Sequence, residues 1–278
     1  MTFRFAALVA APLALCPGLA SAADLGSFRT LRSPMMAESE TYVVTVTANG
    51  QVMPRFPGSD KFTGIPYPSI NLRRAGEPPR FAAPDDGFSI SLYEEIPELR
   101  FGPVVRGQGG RYYSDDRRLT GLRKINWSVE PGVFVEYFPV SFIRARVELR
   151  YALNGAEGLV GNAGIDFIKP VDRFTFSLGP RLSFGDANYV RRYFGVSPAE
   201  AAANVAIPSA YRPGADVTLA GVLGAVSYQW NDTWGTTVYG GYNRLIGDAG
   251  RSPIPRLIGS RDQWTFGASV SYSFNWTR

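Results

Sequence analysis

From Gln263 to Phe274 the chain alternates almost without exception between two kinds of side chain. Trp264, Phe266, Ala268, Val270, Tyr272 and Phe274 share one face, and Gln263, Thr265, Gly267, Ser269, Ser271 and Ser273 share the other. Successive side chains of a β-strand point to opposite faces, so this segment divides an apolar environment from a polar one. Aromatics close to both ends of the apolar face are what a strand spanning a bilayer requires. A soluble sandwich can also contain one such strand, so the rest of the chain has to decide.

The pattern recurs. Tyr42, Val44, Val46 and Ala48 oppose Val43, Thr45, Thr47 and Asn49, and Phe88, Ile90 and Leu92 alternate with Ser89 and Ser91. Leu99, Phe101, Pro103 and Val105 oppose Arg100, Gly102, Val104 and Arg106. The sharpest case sets Ile143, Ala145, Val147, Leu149 and Tyr151 against Arg144, Arg146, Glu148 and Arg150, which suits a wall between lipid and a wet lumen. Phe174, Phe176, Leu178, Leu182 and Phe184 repeat it against Arg173, Thr175, Ser177, Arg181 and Ser183.

The connections carry a second signal, because outer-membrane barrels have short periplasmic turns, longer outer loops and both termini in the periplasm. Counting back from the last strand, 247–261 is long, 231–233 tight, 185–214 the longest, and 169–172 short. Next come 154–158 outside, 138–141 inside, 110–124 outside and 94–98 inside. Continued to the N-terminus, this predicts about twelve strands, or about ten if the weak segment near Arg80–Ala83 is not one. The expected class is therefore all-β, a transmembrane antiparallel β-barrel with a short helix in a long extracellular loop.

The N-terminus supplies a route to that membrane. Arg4, the apolar run 5–15 and Ala20-Ser21-Ala22 read as a secretory signal peptide over 1–22. A polar periplasmic segment, 23–40, and a barrel over 41–278 follow. Cys16 lies within the signal, and the residues flanking it, Leu15 and Pro17, do not make a lipoprotein box. No later stretch approaches the roughly twenty apolar residues of a membrane helix, which leaves a barrel as the way to satisfy backbone groups in lipid. The place implied is the outer membrane of a Gram-negative bacterium, in contact with its lipid and lipopolysaccharide.

The 30 Gly, 14 Tyr and 18 Phe agree with a barrel, and the net charge of +5 is spread along the chain without a basic run, which argues against nucleic acid as a partner. With no histidine, and no cysteine after the signal, imidazole bases, serine triads and the usual zinc sites are excluded, so no catalytic, cofactor or metal residues are assigned. The paired acids Asp85-Asp86, Glu94-Glu95 and Asp115-Asp116 fall in predicted turns and read as solvated turn residues rather than as a glycosidase pair.

Arg100, Arg106, Arg144, Arg146, Arg150, Arg173 and Arg181 share the inward parity with Glu148. Facing a lumen, these arginines favour anions passing through a pore. Paired with Glu148 and other inward acids, they fill a narrow barrel with salt bridges instead, and barrels of this size occur open or filled. Ser197-Pro198-Ala199-Glu200 reads as a capping box with proline at the first helical position, so Ser197 and Glu200 cap a short helix in the longest outer loop.

Pro54-Arg55-Phe56-Pro57-Gly58-Ser59-Asp60, Tyr193-Phe194-Gly195-Val196-Ser197, Arg244-Leu245-Ile246-Gly247-Asp248-Ala249, Ser252-Pro253-Ile254, Gly259-Ser260 and Tyr272-Ser273-Phe274 resemble, in order, the MipA/OmpV family. The resemblance implies a non-enzymatic outer-membrane barrel that acts as a scaffold for murein synthesis. It also implies two partners, a membrane-bound lytic transglycosylase and a bifunctional penicillin-binding protein. Alternatives carried by other members are a porin-like channel for small solutes and a surface adhesin. One departure is that Asn275-Trp276-Thr277-Arg278 follows the terminal aromatic, so either the last strand runs on to Trp276 or the assembly signal lies inside the terminus.

Overall fold

The structure is a computed structural model that describes residues 41–77, 79–93 and 96–277. The expected signal peptide with Cys16, the segment 23–40 and the Glu94-Glu95 pair lie outside the described residues.

Eleven antiparallel strands form one sheet. In chain order they are β1 (Thr41–Pro54), β2 (Phe62–Arg74), β3 (Phe88–Ser89), β4 (Leu99–Gln108), β5 (Ser128–Val140), β6 (Ile143–Tyr151), β7 (Leu159–Val171), β8 (Phe174–Gly185), β9 (Asp216–Gln229), β10 (Trp234–Leu245) and β11 (Asp262–Thr277). From β3 to β11 each strand pairs with its neighbours in sequence, and β11 pairs with β1. The alternating terminal strand thus lies beside the N-terminal one, with Phe274 opposite Val44 and Val270 opposite Ala48. Trp276 faces Tyr42, so the strand runs on past Phe274.

Burial along the wall is inverted relative to a soluble protein. On β6, Val147 and Leu149 are 48% and 43% exposed, whereas Arg144 and Glu148 are 0% and 3% exposed. Water-seeking side chains inside and apolar ones outside make sense only where the outer solvent is hydrocarbon. Rings crowd the short-turn end of the apolar face, where Tyr228 meets Trp230 edge-on, Trp234 packs on Tyr272 and Tyr42 on Trp276, as an interfacial belt does.

The count of eleven has a physical cause. β2 ends at Arg74 on the short-turn side, whereas β3 begins at Phe88, opposite Val105 and well toward the other side. The chain must climb between them, and it does so inside the barrel instead of in the wall. Segment 79–87, which contains the weak strand expected near Arg80–Ala83, has no strand pairing. It passes so close to β4 that a Cβ on Gly87 would lie 2.5 Å from Val104 Cγ2. The segment, called the plug below for its place inside the barrel, contacts the inward side chains of β6 and β8, and the number of crossings stays even.

β2 and β3 are the sheet's two edges, without mutual pairing among the described residues. The Ala75 N–H donates to Thr41 on β1, so odd-numbered amides of β2 point inward to the ladder and even-numbered ones point to the free edge. Pro66 and Pro68 are both even, which removes two donors from that edge. At the outer end the seam is latched by loops. Arg55 Nη1 donates to the Asp115 carbonyl at 2.9 Å, Arg118 Nη2 lies 2.7 Å from Asp60, and Lys61 Nζ lies 3.0 Å from Asp116.

Candidate functional site

Two features of the interior bear on function: the charged lumen and the cap above it. In the lumen, Arg144 of β6 is the hub. Its Nε is 2.6 Å from Glu136 of β5, its Nη1 2.8 Å from Asp166 of β7 and its Nη2 2.5 Å from Asp86 of the plug. Phe81 lies 5.5 Å beneath the same guanidinium. Arg146 contacts Glu136 at 3.3 Å and Glu148 at 2.9 Å, with its guanidinium 4.1 Å from the centre of the Phe134 ring. Arg150 bridges Glu148 and Glu130. Arg181 of β8 holds Asp85 of the plug at 2.8 Å and Asp166 at 2.6 Å. Arg100 reaches Glu136, Arg106 reaches Glu148 and the Asp85 carbonyl, and the Gly87 N–H donates to Glu148.

The strand period explains the assembly. Arg144, Arg146, Glu148 and Arg150 are spaced by two on one strand, and the antiparallel register sets Glu136 opposite Arg146 and Asp166 opposite Arg144. Guanidinium forks then engage several carboxylates each. Six arginines (Arg100, Arg106, Arg144, Arg146, Arg150 and Arg181) meet six carboxylates (Asp85, Asp86, Glu130, Glu136, Glu148 and Asp166). The formal charge of this set is zero, so the inward arginines present no uncompensated positive field to a passing anion.

Two sequence readings change. Arg173 lies in the turn 172–173, where Asp172 has φ 49°, and donates to the Trp230 carbonyl at the short-turn end. The Gln229 N–H donates to the Arg173 carbonyl, so Arg173 continues the register of β8, but at this end of the strand it pairs with none of the luminal carboxylates among the described residues. Asp85 and Asp86 do fall at a turn, where the Asp86 N–H donates to the Ala83 carbonyl, but their carboxylates pair with Arg181 and Arg144 at the tip of the plug instead of being left to solvent. Asp115 and Asp116 do serve a turn. Asp115 accepts from the Tyr112 N–H, and Asp116 caps the 3-10 turn Arg117–Leu119, where hydrogen bonds from Arg118 and Lys61 hold its carboxyl well below the usual range.

Above the lumen the outer loops pack into a cap. The loop after β8 carries α1 (Ala187–Phe194), capped by Asp186, and α2 (Pro198–Ala203). The loop after β10 carries α3 (Gly247–Arg251) and a π-helical turn, Ile254–Ile258. Val190, Tyr193 and Phe194 of α1 bury against Ile125, Ala152, Leu245 and Ala249. Phe56, Leu119, Val196, Ile207, Ile254 and Ile258 form a second apolar cluster. The larger dry cores of this protein therefore lie in its loops, across the outer mouth. Arg111, 1% exposed, donates to the Tyr193 carbonyl in the last turn of α1, and burial lowers its pKa to about 10.

α2 is pinned by the residues of its capping box. The Glu200 N–H donates to Ser197 Oγ, the Ser197 N–H donates to Glu200, and Arg123 grips Glu200 through Nε at 2.8 Å and Nη2 at 2.6 Å. Burial alone would raise the Glu200 pKa, but the hydrogen bonds from Arg123 and Ser197 overcome it and lower it from 4.5 to about 2. A carboxylate depressed in the folded state stabilises fully above its unfolded value and loses that contribution as pH falls. Glu200→Gln is expected to cost the cap about 1.5–3 kcal/mol at pH 7, read as faster limited proteolysis of loop 186–215. The difference from the parent should vanish as pH drops from 4.5 to about 2. Equal cleavage at pH 7 would contradict the role given to this pair.

Among the described residues no cluster of acidic side chains suits a metal ion. Several solved outer-membrane proteins are similar in shape at low identity. The KdgM porin is 12% identical over 85% of this chain and 99% of its own, with a TM-score of 0.36. An outer membrane channel from Pseudomonas putida F1 is 10% identical over 84% and 96%, with a TM-score of 0.44. The channel DcaP of Acinetobacter baumannii is 8% identical over 86% and 98%, with a TM-score of 0.38. Likenesses this distant bear no weight on what the lumen does. No curated protein matches the chain. The family model described as MltA-interacting protein MipA matches residues 46–274, from within β1 to the Phe274 that closes the alternating face of β11. The chain belongs to the MipA family and is an outer-membrane β-barrel.

Proposed function

We propose that this barrel is a non-conducting, non-enzymatic scaffold that presents its periplasmic end to a cell-wall enzyme of the MltA kind, a membrane-bound lytic transglycosylase. A bifunctional penicillin-binding protein is the second partner in this reading. The observation that supports it is the interior, in which a charge-balanced salt-bridge network ties segment 79–87 to the inner wall beneath an apolar cap. A pore needs a continuous wet path, and a filled barrel gives up transport while keeping a rigid wall and two presented ends. The family description supports the choice of partner, since it names an MltA interaction.

Binding of the purified barrel in nanodiscs to a purified, soluble form of a membrane-bound lytic transglycosylase tests the reading. Saturable binding is expected. No binding at roughly a hundred micromolar, where even weak transient contacts register, would remove the scaffold assignment. A steady current through planar bilayers bearing the unmodified protein would favour the porin reading instead.

A further inference from the structure

On its lipid-facing side, across β7 to β11, the wall carries an apolar trough of about 620 Å3. Its floor is a pair of glycines, Gly224 of β9 and Gly240 of β10, which face one another across the ladder. In the same row Leu178 of β8 stands beside Gly224 and Phe266 of β11 beside Gly240, so two missing side chains open a slot between two bulky walls. A Cβ added at Gly224 would lie 3.4 Å from Leu178 Cδ1, and one at Gly240 would lie 3.3 Å from Phe266 Cδ1. Side chains there would occupy the slot itself.

The slot has a charged end. One step toward the short turns the floor continues over Val226 and Val238, and Lys169 of β7 lines that rim opposite Phe176. Lys169 is exposed on the lipid side, close to the end of β7, and has no carboxylate partner among the described residues. An unpaired cation is costly against hydrocarbon unless its long stem carries the ammonium to the headgroup layer and an anion meets it there. The turn cation beside it differs, because Arg173 is engaged by the Trp230 carbonyl.

We propose that the trough seats one acyl chain of an anionic glycerophospholipid of the periplasmic leaflet, with its phosphate against Lys169. The slot is wide enough for an acyl chain, since its floor is two strands wide at about 4.8 Å per strand and Leu178 and Phe266 lean over its edges. A second copy of the barrel is the poorer occupant, because packing wall against wall would trap the Lys169 ammonium in a dry interface with no partner.

The full-length protein, folded in vesicles of phosphatidylethanolamine with a minor share of phosphatidylglycerol, is extracted into mild detergent and its retained lipid identified by native mass spectrometry. Retained phosphatidylglycerol is expected to exceed its bulk share by about fivefold, the factor one basic side chain confers at an anionic surface. Lys169→Gln should return the ratio to the bulk value while lipid is still retained. Gly224→Leu with Gly240→Leu should abolish retention, in protein whose heat-modifiable gel mobility shows it is folded. Retention at the bulk ratio in the parent, an unchanged ratio in Lys169→Gln, or a lipid-free dimer mass would each overturn the proposal.

Discussion

Arg144→Ala is expected to destabilise the folded barrel by about 3–5 kcal/mol, the cost of breaking a buried ion pair from one side. Arg144 is 0% exposed and, among the described residues, is the one side chain that joins β5, β7 and the plug through Glu136, Asp166 and Asp86. Its removal leaves three acids to share the remaining arginines. Glu136 keeps Arg100 and Arg146, and Asp166 keeps Arg181, so the loss stays finite. Asp86 fares worst, because its other contact, to Arg146, is 3.6 Å long. Arg144→Lys keeps the charge but not the planar fork that reaches three carboxylates, so it should recover only part of the loss. Arg118→Ala is the control. Its guanidinium is 40% exposed and pairs with Asp60 and Asp116 in the outer loops, where such pairs contribute within about 1 kcal/mol. Urea unfolding in detergent, followed by tryptophan fluorescence, measures all three. A midpoint for Arg144→Ala no lower than that of the control would show that the luminal network does not hold the wall together.

The parts of this structure legible in the sequence are those governed by a period of two. The Arg144-x-Arg146-x-Glu148-x-Arg150 face is written into β6 itself, and so is the alternation of β11, because side-chain direction in a strand depends only on position. Loop lengths then fix which end is which. The plug has no such signature. Segment 79–87 is rich in proline and small residues, and Asp85-Asp86 looks like any acidic turn until the chain is closed and brings Arg144 and Arg181 to it from far along the sequence. Arg173 is the converse case: it keeps the register of β8, with the Gln229 N–H donating to its carbonyl, yet at the short-turn end its side chain meets the Trp230 carbonyl and no luminal acid. α1 left a usable trace that a loop reading passes over. Asp186 stands three residues before Tyr189, and Tyr189, Val190, Tyr193 and Phe194 fall at helical spacing, all of them buried. The cap's second cluster joins residues from Phe56 to Ile258, a set that pattern along the chain cannot assemble.

Replacing 79–87 by a glycine-serine linker of equal length is expected to convert a silent barrel into a conducting one. The substitution removes Asp85 and Asp86, the Phe81 ring and the backbone that Arg106 and Glu148 hold, so the lumen loses the element that crosses it. It also unbalances the charge, since the six luminal arginines then face only Glu130, Glu136, Glu148 and Asp166. A ring of excess positive charge at a constriction favours anions. Current in a potassium chloride gradient should therefore reverse toward the chloride potential. The cap above the plug is loop structure, open to local unfolding at less than the global cost, so it is expected to pass ions intermittently instead of sealing the mouth. Discrete anion-selective steps in the linker variant and none in the parent would place the barrier at the plug. Silence in a folded linker variant would place it in the cap, where Tyr193, Phe194 and Ile254 are essentially buried.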